Sequence, residues 1–148
     1  MQNNFQRGFG LIELLITLVI VSIITALAYP SYRDSVLKSR RTDGKASILE
    51  IAALQEKYYF QHAQYTLDRT KLGGCVNQGD CSLSTEGYYD IVIKNDACGD
   101  FSCFEIIATP SADKGQDDDK TCASYSINQV GLKSASDVDL NDTRSTCW

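Results

Sequence analysis

Four kinds of side chain in this 148-residue sequence have the types and spacing for chemistry: a carboxylate inside an apolar run, six cysteines, one histidine and a cluster of aspartates. The carboxylate is Glu13, the only charge in residues 9–29. A charged group in a membrane-length apolar segment costs roughly 2–3 kcal/mol or more. Near a helix start the cost falls, because the carboxylate reaches toward the headgroups and meets the positive end of the helix dipole. On that account Glu13 is an interfacial residue of no special role. A cationic partner would offset the cost differently. Cutting the chain between Gly8 and Phe9 would create one, a new amine one helical turn from Glu13. That amine could belong to the same helix or to a neighbouring copy.

The cysteines, Cys75, Cys81, Cys98, Cys103, Cys122 and Cys147, all lie in the polar part of the chain, with no CxxC among them. An even number there reads as disulfides formed in an oxidising compartment. His62 stands alone, so there is no histidine pair for zinc. Asp117, Asp118 and Asp119, with Asp113 nearby, offer the oxygen ligands that calcium takes, but without the EF-hand spacing. A solvated acidic turn is the expectation, with no metal and no cofactor. No phosphate-binding loop, GxSxG or HExxH occurs, and His62 reads as a surface residue at a helix end, so no enzyme activity is expected. Residues 66–148 hold 14 Asp and Glu against 7 Lys and Arg, a net of −7. Such a surface repels a phosphate backbone, and no nucleic-acid partner is expected.

The element that carries Glu13 is a helix. Residues 9–29 would make one roughly 30 Å long, enough to cross a bilayer core. Three accounts of this segment compete. A secretory signal would use Arg7 as its basic region and Ala26-Leu27-Ala28 as its cleavage site. A plain signal anchor would need no processing. A cut at Gly8/Phe9 would make Glu13 the fifth residue of the mature chain.

The run Gly8-Phe9-Gly10-Leu11-Ile12-Glu13-Leu14 closely resembles the prepilin signal of type IV pilins and type II secretion pseudopilins. The resemblance implies cleavage after Gly8 by a prepilin peptidase and N-methylation of Phe9. It also implies that Glu13 pairs with a neighbour's N-terminus in an assembled filament. Gly10 stands where threonine is commoner in the family, and Pro30 falls where the family often has a helix-distorting proline. Among the alternatives this one is favoured, because leader, cut site, Glu13 and apolar run agree. One feature opposes it. Residues 33–45 carry five basic and two acidic side chains, which the positive-inside rule would keep in the cytoplasm. The cysteines require the opposite orientation.

Beyond Tyr32 the helix turns amphipathic. Ile48, Leu49, Ile51, Ala52, Leu54, Tyr58 and Tyr59 recur at three- and four-residue steps and form an apolar face, while the basic residues at 38–45 read as solvated. The helix is expected to run from Phe9 to about His62, with Pro30 and Gly44 as places to bend or melt. Then residues 73–81 read as a loop, and residues 88–94, 103–109 and 122–128 as antiparallel strands, with a short fourth strand at 132–134. Of fifteen connectivities, neighbour pairing is the most economical: Cys75 with Cys81, Cys98 with Cys103, Cys122 with Cys147. The resemblance adds weight to the last, since type IV pilins commonly close a C-terminal loop with a disulfide. The ending Cys147-Trp148 is similar to PilE-like minor pilins, as is the run from Gln116 to Cys122 followed by Gly131-Leu132-Lys133.

The fold class implied is α+β, the pilin fold, a long N-terminal helix packed on an antiparallel sheet of three to four strands. The expected organisation is a leader at 1–8, a hydrophobic transmembrane and assembly helix at 9–32, and a periplasmic head at 33–148. The expected role is structural: a minor pilin held in the inner membrane, then built into a type IV pilus, priming assembly or forming the tip. Its expected partners are other pilins, the prepilin peptidase and inner-membrane lipid. Two alternatives remain, a pseudopilin of type II secretion or DNA uptake, and a secreted disulfide-rich binding domain with a conventional signal peptide.

Overall fold

The computed structural model describes residues 10–73 and 81–148. Helix α1 spans Leu11–His62 and runs without a break through Pro30. The chain divides into two compact units, Met1–Val36 and Leu37–Trp148.

In the first unit the large apolar side chains, Leu11 and Leu27 among them, are exposed. The few polar ones are satisfied by the helix itself. Thr17 Oγ1 donates to the Leu14 carbonyl, Ser22 Oγ to Val19 and Thr25 Oγ1 to Val21. A segment in hydrocarbon must satisfy its polar groups in this internal way. By length and composition α1 can cross a membrane.

The second unit sets the remainder of α1 against four antiparallel strands, β1 Tyr89–Lys94, β2 Glu105–Pro110, β3 Ser124–Asn128 and β4 Lys133–Ser136, in the order β1-β2-β3-β4. A short helix, α2 Arg144–Cys147, packs beside β4. The strands form where side chains alternate. Tyr89, Ile91 and Ile93 face inward, as do Ile106, Ala108, Tyr125, Ile127 and Ala135. Register follows the same faces, with Ile91 opposite Ala108 and Ala108 opposite Tyr125. Both β2 and β3 begin two residues later than expected, at Glu105 and Ser124, since Cys103 and Cys122 are drawn into disulfides just outside the ladder. The fourth strand is Lys133–Ser136 rather than 132–134, because its partners Ser124 and Tyr125 extend the pairing to Ser136 and Ala135.

Each edge of the sheet is partly covered. Leu83 bridges Asp90 on the outer side of β1, and the Ser84 N–H donates to the Tyr89 carbonyl. On the outer side of β4, Asp142 bridges Ser136 and the Thr143 N–H donates to Ala135.

The helix face against the sheet differs from the expected one. Its buried residues are Arg41, Gly44, Ser47, Ile48, Ile51 and Gln55. Leu49 and Tyr59 are exposed. The stripe keeps helical spacing, but it extends through polar residues that make their own hydrogen bonds, so a search for apolar residues misplaces it. Gln55 is fully buried and its carboxamide binds both the N–H and the carbonyl of Thr66, pinning the chain as it leaves the helix. Gly44 is no hinge. A Cβ there would lie 2.8 Å from Cγ and Cδ2 of the buried Tyr89 ring, so the missing side chain lets that ring lie against the helix.

Candidate functional site

Gly8 and Phe9 lie outside the described residues. Glu13 is exposed in the first turn of α1, and its N–H bonds the Gly10 carbonyl. Pro30 lies within the same helix. Glu13 and Pro30 belong to one exposed, apolar stretch that, among the described residues, is not covered by its own unit. Chemically, such a stretch can enter lipid or pack on other helices, and Glu13 is its one charged group at neutral pH.

In the head, two disulfides are described. Cys98–Cys103 closes the β1–β2 connection and Cys122–Cys147 ties α2 to the start of β3. Cys81 is disulfide-bonded as well, and Cys75 lies outside the described residues. The C-terminal loop is held further by Lys45, whose Nζ donates to the Cys147 carbonyl. Trp148 sets its ring edge-on to Tyr125, its Nε1 donates to Ser134, and Lys133 stands 4.6 Å over the ring. Burial lowers the Lys45 pKa, helped by the charges of Arg41 and Lys133.

The basic stretch and the acidic turn meet, which the sequence did not disclose. Arg41 donates to Asp119 through Nε at 2.7 Å and Nη2 at 2.8 Å, with both residues buried. Asp119 also accepts from the Cys122 N–H, and the neighbouring Gln116 donates to Tyr89 Oη. The hydrogen bonds that Arg41 donates to the Asp119 carboxylate hold its pKa above the ordinary value. Asp119 is therefore no part of a solvated turn, whereas Asp117 and Asp118 are exposed. Among the described residues, no group of three or more His, Cys, Asp or Glu is placed to hold a metal.

Other polar residues of this part of the helix are clamps too. Arg40 donates to the Lys114 carbonyl and, with Lys114, flanks the Tyr88 ring at 4.6 and 5.1 Å. The Asp43 carboxylate accepts from Ser84 Oγ and from the N–H groups of Glu86 and Tyr88, while Ser47 Oγ accepts from the Thr85 N–H. Of the five basic residues at 33–45, Arg40, Arg41 and Lys45 are thus bound to the head. Their charge has a structural use, which removes much of its force as an orientation signal. His62 stacks on Tyr58 at the helix end, 4.0 Å between centroids, and is exposed.

Comparison with known proteins gives two family matches. Residues 3–29 match the prokaryotic N-terminal methylation motif. Residues 30–126 match the family described as type IV minor pilin ComP, DNA uptake sequence receptor. The chain belongs to the type IV minor pilin family. Among similar proteins, this minor pilin is 32% identical over 71 residues to the type IV major pilin protein PilE of Neisseria gonorrhoeae, a match covering 48% of this chain and 42% of that one. It is 37% identical over 86 residues to fimbrial protein Q of Moraxella bovis, covering 57% and 52%. The chain thus spans about half the length of the curated relatives it matches. Its fold is similar to that of the Neisseria meningitidis non-core minor pilin PilV, with TM-score 0.51, 21% identity, and coverage of 72% of this chain and 93% of that one. The family description names DNA uptake, contrary to the expectation drawn from the minor pilin's acidic charge.

Proposed function

We propose that this minor pilin is a structural subunit of a type IV pilus, held in the inner membrane by its N-terminal helix and then built into the filament, where it primes assembly or forms the tip. The observation that carries this is one unbroken helix, Leu11–His62, apolar and exposed at its start and carrying the core face of a disulfide-bonded head further on. In this account residues 1–8 are a leader removed between Gly8 and Phe9, residues 9–32 the membrane and assembly segment, and 33–148 the periplasmic head. The partners are the prepilin peptidase, inner-membrane lipid and other pilins. Pro30 is where the helix yields as it packs. Glu13 meets the Phe9 amine of a neighbouring subunit. Unpaired among packed apolar helices, its charge would cost several kcal/mol, so pairing would also fix the axial stagger between subunits.

Two measurements test this. Intact mass of the native protein should show loss of Met1 to Gly8 and a methyl group on Phe9. Glu13→Val should insert and be cleaved normally yet be depleted from sheared filaments. Equal incorporation of the variant and wild type would remove Glu13 from the assembly step. Counting subunits per filament in the same preparation tells an interior position from a tip, where one neighbour is missing.

DNA contact is a second reading, favoured by the family description and by one local feature, the two cations held on the Tyr88 ring. Aromatic rings flanked by Arg and Lys suit nucleic acid even where the average charge is negative. Fluorescence anisotropy with duplex DNA would show affinity falling with salt and falling again in Arg40→Ala/Lys114→Ala. Absence of salt-dependent binding by wild type would sink it.

A further inference from the structure

Residues Asp139, Leu140, Asn141, Asp142 and Thr143 spell D-x-N-x-T between β4 and α2. Asparagine followed two residues on by Ser or Thr, with no intervening proline, is the acceptor pattern for glycan transfer to the carboxamide. Asp139 stands two positions before the asparagine. None of the other five asparagines has Ser or Thr two residues later.

We propose that Asn141 is an acceptor site for an N-linked glycan. The site sits on a self-contained turn. The Asp137 carboxylate accepts from the N–H groups of Asp139 and Asn141 at 2.9 and 2.8 Å, and from Asn141 Nδ2 at 2.9 Å. Asp139, Leu140 and Asn141 are all exposed. Leu140 is held at φ 65°, a left-handed conformation costly for a side chain, and is 84% exposed. Val138 beside it is half exposed. Among the described residues nothing covers these apolar groups fully, and a sugar on Asn141 would lie beside them.

The disulfide supplies an independent argument. Cys122–Cys147 brackets the turn, so the turn is in the oxidising compartment where lipid-linked oligosaccharides are donated. The donor class is a polyprenyl-diphosphate oligosaccharide. The Asn141 nitrogen attacks the anomeric carbon and an N–C bond forms as the C–O bond to diphosphate breaks. The polyprenyl diphosphate leaves, the amide proton passes to a base of the transferase, and no redox change occurs. Thr143 is half-buried and its N–H is bound to the Ala135 carbonyl, so transfer comes before α2 docks on β4.

The test is glycopeptide mass spectrometry of the full chain purified from its own cells. Tryptic residues 134–144 should carry a glycan mass that fragmentation assigns to Asn141. It should vanish in Asn141→Gln and Thr143→Ala and persist in Thr143→Ser. Cys122→Ser/Cys147→Ser, whose tail cannot lock, should be modified at least as fully. Unaltered Trp148 fluorescence shows that Asn141→Gln still folds. An unmodified Asn141 in wild type overturns the proposal, as does a glycan mass retained in Asn141→Gln.

Discussion

Removing the Asp119 carboxylate should destabilise the head more than any other single change to a charged residue. Asp119→Ala leaves the Arg41 guanidinium buried beneath the sheet end with both of its short bonds gone, and deprives the Cys122 N–H of its acceptor. Breaking a buried pair in this way costs about 3–5 kcal/mol. Against a total of about 5–15 kcal/mol for a domain of this size, that is at least about a fifth of the stability. An exposed ion pair would be worth about 1 kcal/mol at most and would weaken with salt. The double change Arg41→Met/Asp119→Leu removes both charges and should recover most of the loss, short of the about 1 kcal/mol belonging to the Cys122 N–H. The assay is urea unfolding of the detergent-solubilised full chain, read by Trp148, the only tryptophan, at low and high salt. A cost under about 1 kcal/mol for Asp119→Ala, or a double variant no more stable than the single, would refute the reasoning.

Three other outcomes are expected. Gly44→Ala gains about 1 kcal/mol of helix propensity but overpacks the Tyr89 ring, which Tyr125 and Gln116 hold in place, at about 1–3 kcal/mol. Net destabilisation in the same unfolding assay, relieved by Tyr89→Leu, would show that close approach explains the glycine. Cys122→Ser/Cys147→Ser should lose about 3–4 kcal/mol on the chain-entropy model and shift Trp148 emission to the red as α2 is released. Burial raises the pKa of Tyr65, to about 12, and of Tyr89 and Tyr125 above the ordinary 10.0. Their folded values exceed the unfolded one, so their contribution is full below pH 10 and is lost as pH rises through the folded values. Tyrosinate absorbance should therefore show a late phase that coincides with unfolding, and a single early phase would contradict the burial.

The long helix, the four antiparallel strands and the family were legible because each is written locally. Alternation in Tyr89 to Lys94 marks a strand, and the run from Gly8 to Leu14 marks a signal, with no knowledge of distant residues. What escaped depends on partners far along the chain. Arg41 and Asp119 are 78 residues apart, and each by itself resembles a solvated charge. Gln55 is missing from the face read off the apolar spacing, because its two bonds to Thr66 require the chain to turn back after the helix. Gly44 looked like a weak point because a close approach is invisible without the ring that makes it. The residues proposed for processing and assembly are a different case. Gly8, Phe9 and Glu13 form a motif read whole from the sequence, and the roles proposed for them rest on a processing enzyme and on neighbours, not on contacts within one chain.

The partial covers on the sheet's two edges matter for a protein stored crowded in a membrane. An open edge strand is a template that any second copy can extend, and extension of that kind ends in aggregates. Here the backbone groups of Tyr89 and Ala135 are already engaged by the chain's own Ser84 and Thr143. A pool of waiting subunits can therefore become dense without its heads zipping together. Among the described residues the longest continuous run of exposed apolar side chains is the N-terminal stretch of α1. In the proposed function this would steer polymerisation toward helices lying side by side, and a cell could hold the material for a fibre in reserve without triggering it.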